Sequence, residues 1–321
     1  MRVLLVKTKN IGDTLLLTAA ARAIRRDHPQ AHITALVRAG TEGILAGAVS
    51  IDRIATWGRV PEAAPTRRTA AWWAQTYDLA IDLGGTSSGR WATLLSRAPR
   101  RGTRGPARGW PACCARPWEP PPGILHSAAR DFHHVSSLLP LRDPIPPLEF
   151  DSTRADPNTP APFDAYAVLH PSTRWAEKRW PLEQWITLAR HLQEAHGLAL
   201  VLSSGPSAEE TTFTRALHAA LDPSRTQCTG GTLSWAQLAG LLFRARLFAG
   251  VDTAAMHLAA ACQCPTLALM VYDPRHWGPW QCPHRSVHAP PDPALSRAQR
   301  MQRLDAAAAL AAADLLLSSA R

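Results

Sequence analysis

Arg2-Val3-Leu4-Leu5-Val6-Lys7-Thr8-Lys9-Asn10-Ile11-Gly12-Asp13 is the stretch on which the fold turns. Residues 3–6 form a short unbroken apolar run, the pattern of a strand covered on both faces. Residues 8–12 are polar and include Gly12, so they read as a loop. From residue 13 to 26 the sequence is helical in pattern and stops before Pro29. A strand, a loop and a helix in that order open a parallel α/β unit. Ligands of such units bind beyond the carboxyl ends of the strands, so Lys7, Lys9 and Asp13 stand where chemistry is expected. The ordinary structural use of Asp13 is as an N-cap of the helix it begins.

Working outward, the alternation repeats. Residues 33–37, 53–57 and 79–83 read as strands, with helical segments at 42–46, 68–75 and 89–96 between and after them. Residues 99–122 break the pattern. Arg97, Arg100, Arg101, Arg104, Arg108 and Arg116 fall between residues 97 and 117 with no acidic residue among them, punctuated by Gly and Pro, and the stretch 99–122 reads as a loop. Residues 140–162 are proline-rich and read as an interdomain linker. A second alternation follows, with strands at 166–169, 198–202, 247–251 and 266–270. Its helices are expected at 182–194, 208–221, 235–244 and 253–261. The fold class is therefore α/β, with two Rossmann-like parallel-sheet domains expected to face a central cleft. The first spans 1–150 and the second 163–300. Residues 301–321 supply a C-terminal helix expected to pack back on the N-terminal domain.

Composition narrows the function. A chain of 321 residues with 46% hydrophobic content can bury two cores and is not a disordered protein. No apolar run approaches the roughly 20 residues of a membrane span. The nearest, 304–317, is interrupted by Asp305 and Asp314. The opening residues are too few for a signal-peptide core, so a cytoplasmic protein is expected. The six cysteines show no paired metal-ligand spacing and read as reduced and structural. The formal charge is +10, and only Lys7, Lys9 and Lys178 are lysines. That charge fits an anionic partner. Nucleic acid is excluded because no nucleic-acid motif accompanies the charge. A nicotinamide enzyme is excluded because the Gly-x-Gly-x-x-Gly fingerprint is missing.

Two further strand-end loops carry polar chemistry. His170-Pro171-Ser172-Thr173-Arg174-Trp175-Ala176-Glu177-Lys178-Arg179-Trp180-Pro181 follows a strand and precedes a helix. Its hydroxyls, amides and Lys178 ammonium are groups that a pyrophosphate needs. Its ordinary reading is a solvated loop with core tryptophans. Gly250-Val251-Asp252-Thr253-Ala254-Ala255-Met256-His257 repeats the arrangement. Asp252 is suited to cap the helix there, while the Thr253 hydroxyl and the amides after it are suited to an anion. His257 lies one turn beyond Thr253, a position more often filled by a packing residue. No Asp-x-Asp occurs, so a metal–carboxylate route to a nucleotide sugar has no evident ligands, and no metal is expected.

Taken together, Lys7-x-x-x-x-Gly12-Asp13, Trp175-x-x-Lys178-Arg179-Trp180-Pro181 and Asp252-Thr253-x-x-Met256-His257-Leu258-Ala259 resemble the lipopolysaccharide heptosyltransferases of glycosyltransferase family 9. Ser204-Gly205-Pro206 with Glu209 also resembles that family's nucleotide-side loop. The resemblance covers roughly residues 1–285, and the wording around Lys7 and Trp175 is most like the heptosyltransferase III branch. It implies a GT-B fold and an inverting, metal-independent enzyme moving heptose from ADP-heptose to the lipopolysaccharide inner core. It implies no cofactor beyond the donor substrate. Asp13 would be the general base, with Lys178 contacting the donor phosphates. Lys9, Ser172, Thr173, Glu209, Leu233, Asp252, Thr253, Ala254 and His257 would line the donor site. Arg100, Arg101 and Arg104 would read the anionic acceptor, and contact with the cytoplasmic face of the inner membrane would follow. Ala254 departs from the glycine usual after Asp-Thr. That departure keeps two alternatives open, a relative using another nucleotide sugar and a non-catalytic sugar-nucleotide-binding protein.

Overall fold

The computed structural model describes residues 1–58, 72, 74–105, 115–157, 159 and 163–319. The helix expected at 68–75 lies mostly outside the described residues, as do Arg108, Cys113 and Cys114. The chain divides into two compact units, Met1–Asp151 and Ser152–Arg321.

The first unit is built on six parallel strands: β1 (Arg2–Lys7), β2 (His32–Arg38), β3 (Arg53–Trp57), β4 (Leu79–Asp82), β5 (Arg100–Arg104) and β6 (Arg116–Trp118). Their order across the sheet is β3-β2-β1-β4-β5-β6. Val3, Leu4, Leu5 and Val6 are fully buried, as a central strand covered on both faces requires. Helices α1 (Ile11–Leu16), α2 (Thr18–Asp27), α3 (Ser87–Leu95) and α4 (Ser127–Ser136) accompany the sheet. The single helix expected over 13–26 starts earlier and is divided at Leu17. Two hydroxyls compete for backbone there: Thr14 Oγ1 donates to the Asn10 carbonyl and Thr18 Oγ1 to the Leu15 carbonyl.

The loop expected over 99–122 is corrected by β5 and β6. Strand alternation puts residues 100, 102 and 104 on one face, and α4 packs there. A Cβ on Gly102 would stand 2.4 Å from Leu138 Cδ1, so the absent side chain is what admits the end of α4. Arg100 donates to the Leu138 carbonyl, and Arg104 Nη2 reaches Asp131 Oδ1 at 2.7 Å. Tertiary acceptors thus stabilise a strand whose local sequence reads as coil. The expected linker is shorter as well. Arg22 donates to the Pro147 and Leu148 carbonyls, and buried Glu149 accepts from Ser50, so these residues belong to the first unit.

The second unit repeats the plan with β7 (Tyr166–His170), β8 (Ala199–Leu202), β9 (Thr226–Cys228), β10 (Leu247–Val251), β11 (Thr266–Met270) and β12 (His284–His288). The order is β12-β11-β10-β7-β8-β9, again parallel throughout. Its helices are α5 (Leu182–Glu194), α6 (Ala208–Ala219), α7 (Trp235–Leu242), α8 (Ala254–Ala261), α9 (Pro274–Trp277), α10 (Arg297–Gln302) and α11 (Ala306–Ser319). Trp185, Leu188, Ala189 and Leu192 recur at helical spacing along α5 and are fully buried. Both sheets have the doubly wound order 3-2-1-4-5-6, whose switch points lie between β1 and β4 and between β7 and β10.

The C-terminal helix packs on β10, β11, β12 and α5 within the second unit. Ala309, Ala313 and Leu316 enter that unit's core. Trp180, fully buried, donates its indole N–H to the Leu304 carbonyl at 2.9 Å, which fixes where the helix begins.

Candidate functional site

At the first switch point, β1 ends in Lys7, whose side chain is fully buried. Its ammonium is paired with buried Asp131 of α4 and lies 3.4 Å from Ser127 Oγ. Burial pulls the Lys7 pKa below its usual value, against the opposing pull of Asp131 and then Asp13. Asp13, half-buried in the first turn of α1, is thus within electrostatic reach of that ammonium. It is not the N-cap; Asn10 holds that position. Among the described residues its carboxylate accepts no hydrogen bond. The Lys9 stem lies against Gly84, whose added Cβ would be 3.7 Å from Lys9 Cγ.

The neighbouring strand end supplies residues that the sequence reading missed. Buried Asp82 closes β4 and accepts from the Gly84 and Gly85 amides at 3.0 Å and from Thr103 Oγ1 at 3.2 Å. Burial raises its pKa to about 6. Thr8, Thr86 and Ser88 share a hydroxyl cluster with oxygens 2.7–3.1 Å apart. Asp82-Leu83-Gly84-Gly85 after an apolar run was the available signal; Asp131, on a helix with no such mark, had none.

Arg100 and Arg104, expected to read an acceptor, are engaged within the unit instead. The Arg104 guanidinium holds Asp131 and lies 5.9 Å from the Trp118 ring. Arg101, on the other face of β5, has no partner among the described residues.

At the second switch point, Lys178 and Asp252 meet. Lys178 Nζ lies 2.7 Å from Asp252 Oδ2 and 3.0 Å from the Asp252 carbonyl, with 17% of the lysine side chain exposed. Tyr272, also unanticipated, presents its ring 5.3 Å from the ammonium. The cap of α8 is Thr253 rather than Asp252. Asp252 is committed to Lys178, and the Thr253 hydroxyl makes no cap bond. Thr253 Oγ1 and Ser172 Oγ are both buried with no hydrogen-bond partner. A buried hydroxyl without a partner costs about 1–3 kcal/mol, and these two follow the carboxyl ends of the adjacent strands β7 and β10. His257 is buried in α8, one turn after Thr253.

Ser172 and Thr173 also line a pocket of about 500 Å³ within this unit, with Arg179, Glu209 and Phe213. Arg179 bonds the Thr173 carbonyl and pairs with Glu209, whose carboxyl that contact holds below the usual range. Leu233 is half-buried in the turn before α7 and does not line this pocket. The structure therefore gathers Ser172, Thr173, Lys178, Glu209, Asp252, Thr253 and Ala254 around one strand-end region, and Lys9 and Asp13 around another.

The cysteines agree with a structural role where they are described. Cys228, Cys262, Cys264 and Cys282 are free thiols, and burial pushes Cys282 up to about 12. No helix among the described residues is long and apolar enough to cross a membrane.

Comparison with known proteins agrees with this geometry. Residues 70–305 match the model of glycosyltransferase family 9 (heptosyltransferase). Lipopolysaccharide heptosyltransferase 1 of Pseudomonas aeruginosa is 30% identical over 296 residues, covering 84% of this chain and 78% of the relative. Lipopolysaccharide heptosyltransferase 3 of Escherichia coli K12 is 30% identical over 118 residues, 36% of this chain and 34% of that protein. The longer match is thus to a heptosyltransferase 1. Among solved structures, E. coli heptosyltransferase WaaC with ADP superposes with a TM-score of 0.79 at 20% identity, covering all of both chains. E. coli ADP-heptose LPS heptosyltransferase II gives 0.80 at 18%, covering 99% of each. With two Rossmann-like units of one strand order, and a family match spanning both, the chain belongs to glycosyltransferase family 9 and is a glycosyltransferase of GT-B architecture.

Proposed function

We propose that the enzyme transfers a heptose from ADP-heptose to the inner core of lipopolysaccharide, inverting the anomeric centre without a metal. The observation that carries this reading is the Lys178–Asp252 pair beside two buried, partnerless hydroxyls, Ser172 and Thr253. These groups suit a diphosphate. A single fixed ammonium and the first amides of α8 meet the charge that grows on the departing ADP, a role worth about 3 kcal/mol for each such donor. Asp252, already on Lys178, keeps the ammonium in place.

Asp13 is the general base of this scheme. A sugar hydroxyl is too weak an acid to ionise beforehand, so its proton leaves as the new C–O bond forms, and the carboxylate receives it. The Asp13 carboxylate lies within electrostatic reach of the buried Lys7 ammonium. Inversion follows from one displacement with the base on one side of the anomeric carbon and the leaving diphosphate on the other. The acceptor's carboxylates and phosphates suit a chain of +10, with Arg101 the free guanidinium of the three arginines expected there. The proposal places the protein in the cytoplasm, in peripheral contact with the inner membrane that carries the acceptor.

Asp13→Asn is the direct test. ADP affinity is expected to be unchanged while transfer falls about a thousandfold, and retained turnover would remove Asp13 as the base. Ala254 favours a second reading, a relation to another nucleotide sugar or a binding protein without turnover. The residue is the first of α8, half-buried, where a methyl narrows the approach to the helix amides. Turnover by the parent chain with ADP-heptose, in a panel of nucleotide sugars, separates these readings.

A further inference from the structure

Three side chains that the transfer reaction does not use converge at the far edge of the second sheet. Helix α5 carries the chain from the carboxyl end of β7 to the amino end of β8, so its last turn lies at the edge opposite Lys178 and Asp252. His191 stands in that turn and His196 just beyond it. Both present Nε2 to one oxygen of Asp314 on α11, each at 2.6 Å. The three donor atoms all lie within 4.8 Å of one another, and the imidazole planes cross at 76°.

The setting singles this cluster out. Asp314 is the only charged residue of an otherwise alanine- and leucine-rich helix. Among the described residues no lysine or arginine pairs with it. Burial opposes its ionisation, and the His191 and His196 hydrogen bonds outweigh that, holding its carboxyl below the usual range. Two imidazole nitrogens and a carboxylate oxygen are the donor set that zinc and its neighbours take, not magnesium or calcium.

We propose that His191, His196 and Asp314 form a structural site for a divalent transition ion of the zinc type, clasping the C-terminal helix to α5. Each ring would turn its Nε2 lone pair to the ion and keep its proton on Nδ1. Ligand atoms of a tetrahedral zinc site stand about 3.3 Å apart, so the carboxylate would withdraw by under 1 Å from each ring. Asp314 is 47% exposed, which leaves it room to do so and leaves the remaining position to water. The ion would lie remote from the donor pocket and would act on stability rather than on transfer.

The test titrates the full chain, stripped by chelator and dialysed, with Zn2+ in a calorimeter. One ion per chain is expected. Asp314→Asn retains an oxygen that accepts from both rings but loses the negative ligand, and should weaken binding at least tenfold. Combined His191→Gln and His196→Gln should abolish it, together with the visible absorption bands that Co2+ develops in the parent. Stoichiometric zinc is also expected to raise the parent's thermal midpoint by about 5 °C at a hundredfold excess over Kd, and not that of Asp314→Asn. Absence of stoichiometric uptake by the parent, or equal uptake by parent and both variants, would overturn the site.

Discussion

At the end of β4, Asp82 holds its loop by accepting from two amides and a hydroxyl, yet folding removes it from water. Its pKa rises from 3.8 to about 6, so the folded chain binds this proton more tightly than the unfolded one. The associated stability is fully present below pH 3.8, is lost as pH climbs to about 6, and is flat above that. Two pH units correspond to about 3 kcal/mol. Asp82→Asn can preserve the three hydrogen bonds and should remove that decline. Urea unfolding at two pH values checks this, and an unchanged pH slope in the variant would refute it. Thr253 poses the complementary case, a buried hydroxyl without a protein partner. Thr253→Val keeps the shape and is expected to leave stability intact while weakening ADP binding about tenfold, or about 1.4 kcal/mol. Unchanged affinity by calorimetry would assign the hydroxyl no ligand role. Both residues were reachable from sequence in different degrees: Thr253 stands in a motif, whereas the burial of Asp82 comes from Thr103, Gly84 and Gly85 closing around it.

At the scale of elements, the helix after β4 depends on a missing side chain. Replacing a mid-helix glycine by alanine ordinarily favours a helix by about 1 kcal/mol. Gly89 inverts that expectation, since a Cβ there would stand 2.2 Å from Asp82 Oδ1. Gly89→Ala should therefore lower the thermal midpoint, and a rise would show that α3 does not rest on Asp82. Strands with plain apolar runs, such as residues 3–6 and 247–251, were legible because burial on both faces leaves no other composition. β5 was not, because Arg104 is satisfied by Asp131 on α4 and Arg100 by the Leu138 carbonyl just beyond that helix, both more than 25 residues away. The division of the first helix at Leu17 was hidden too, since threonine hydroxyls cap or back-bond according to their surroundings.

For the whole molecule, each unit has its own sheet and core, and the residues proposed to hold the donor all lie within the second, Lys9 excepted. A fragment of residues 152–321 is accordingly expected to fold and bind ADP within about tenfold of the full chain, while residues 1–151 do not. Calorimetry on both fragments checks this, and binding by the first fragment alone would reverse the assignment. The sequence by itself determined the α/β class, the duplication of the plan and the three strand-end loops, because hydrophobic period and loop chemistry are local properties. Only the tertiary structure decided that Asp252 holds Lys178 and leaves the helix cap to Thr253, that an arginine-rich stretch pairs as a strand, and that the last helix joins the second unit. Those outcomes depend on which distant group supplies a carboxylate, a carbonyl or an apolar face, and no local pattern carries that information.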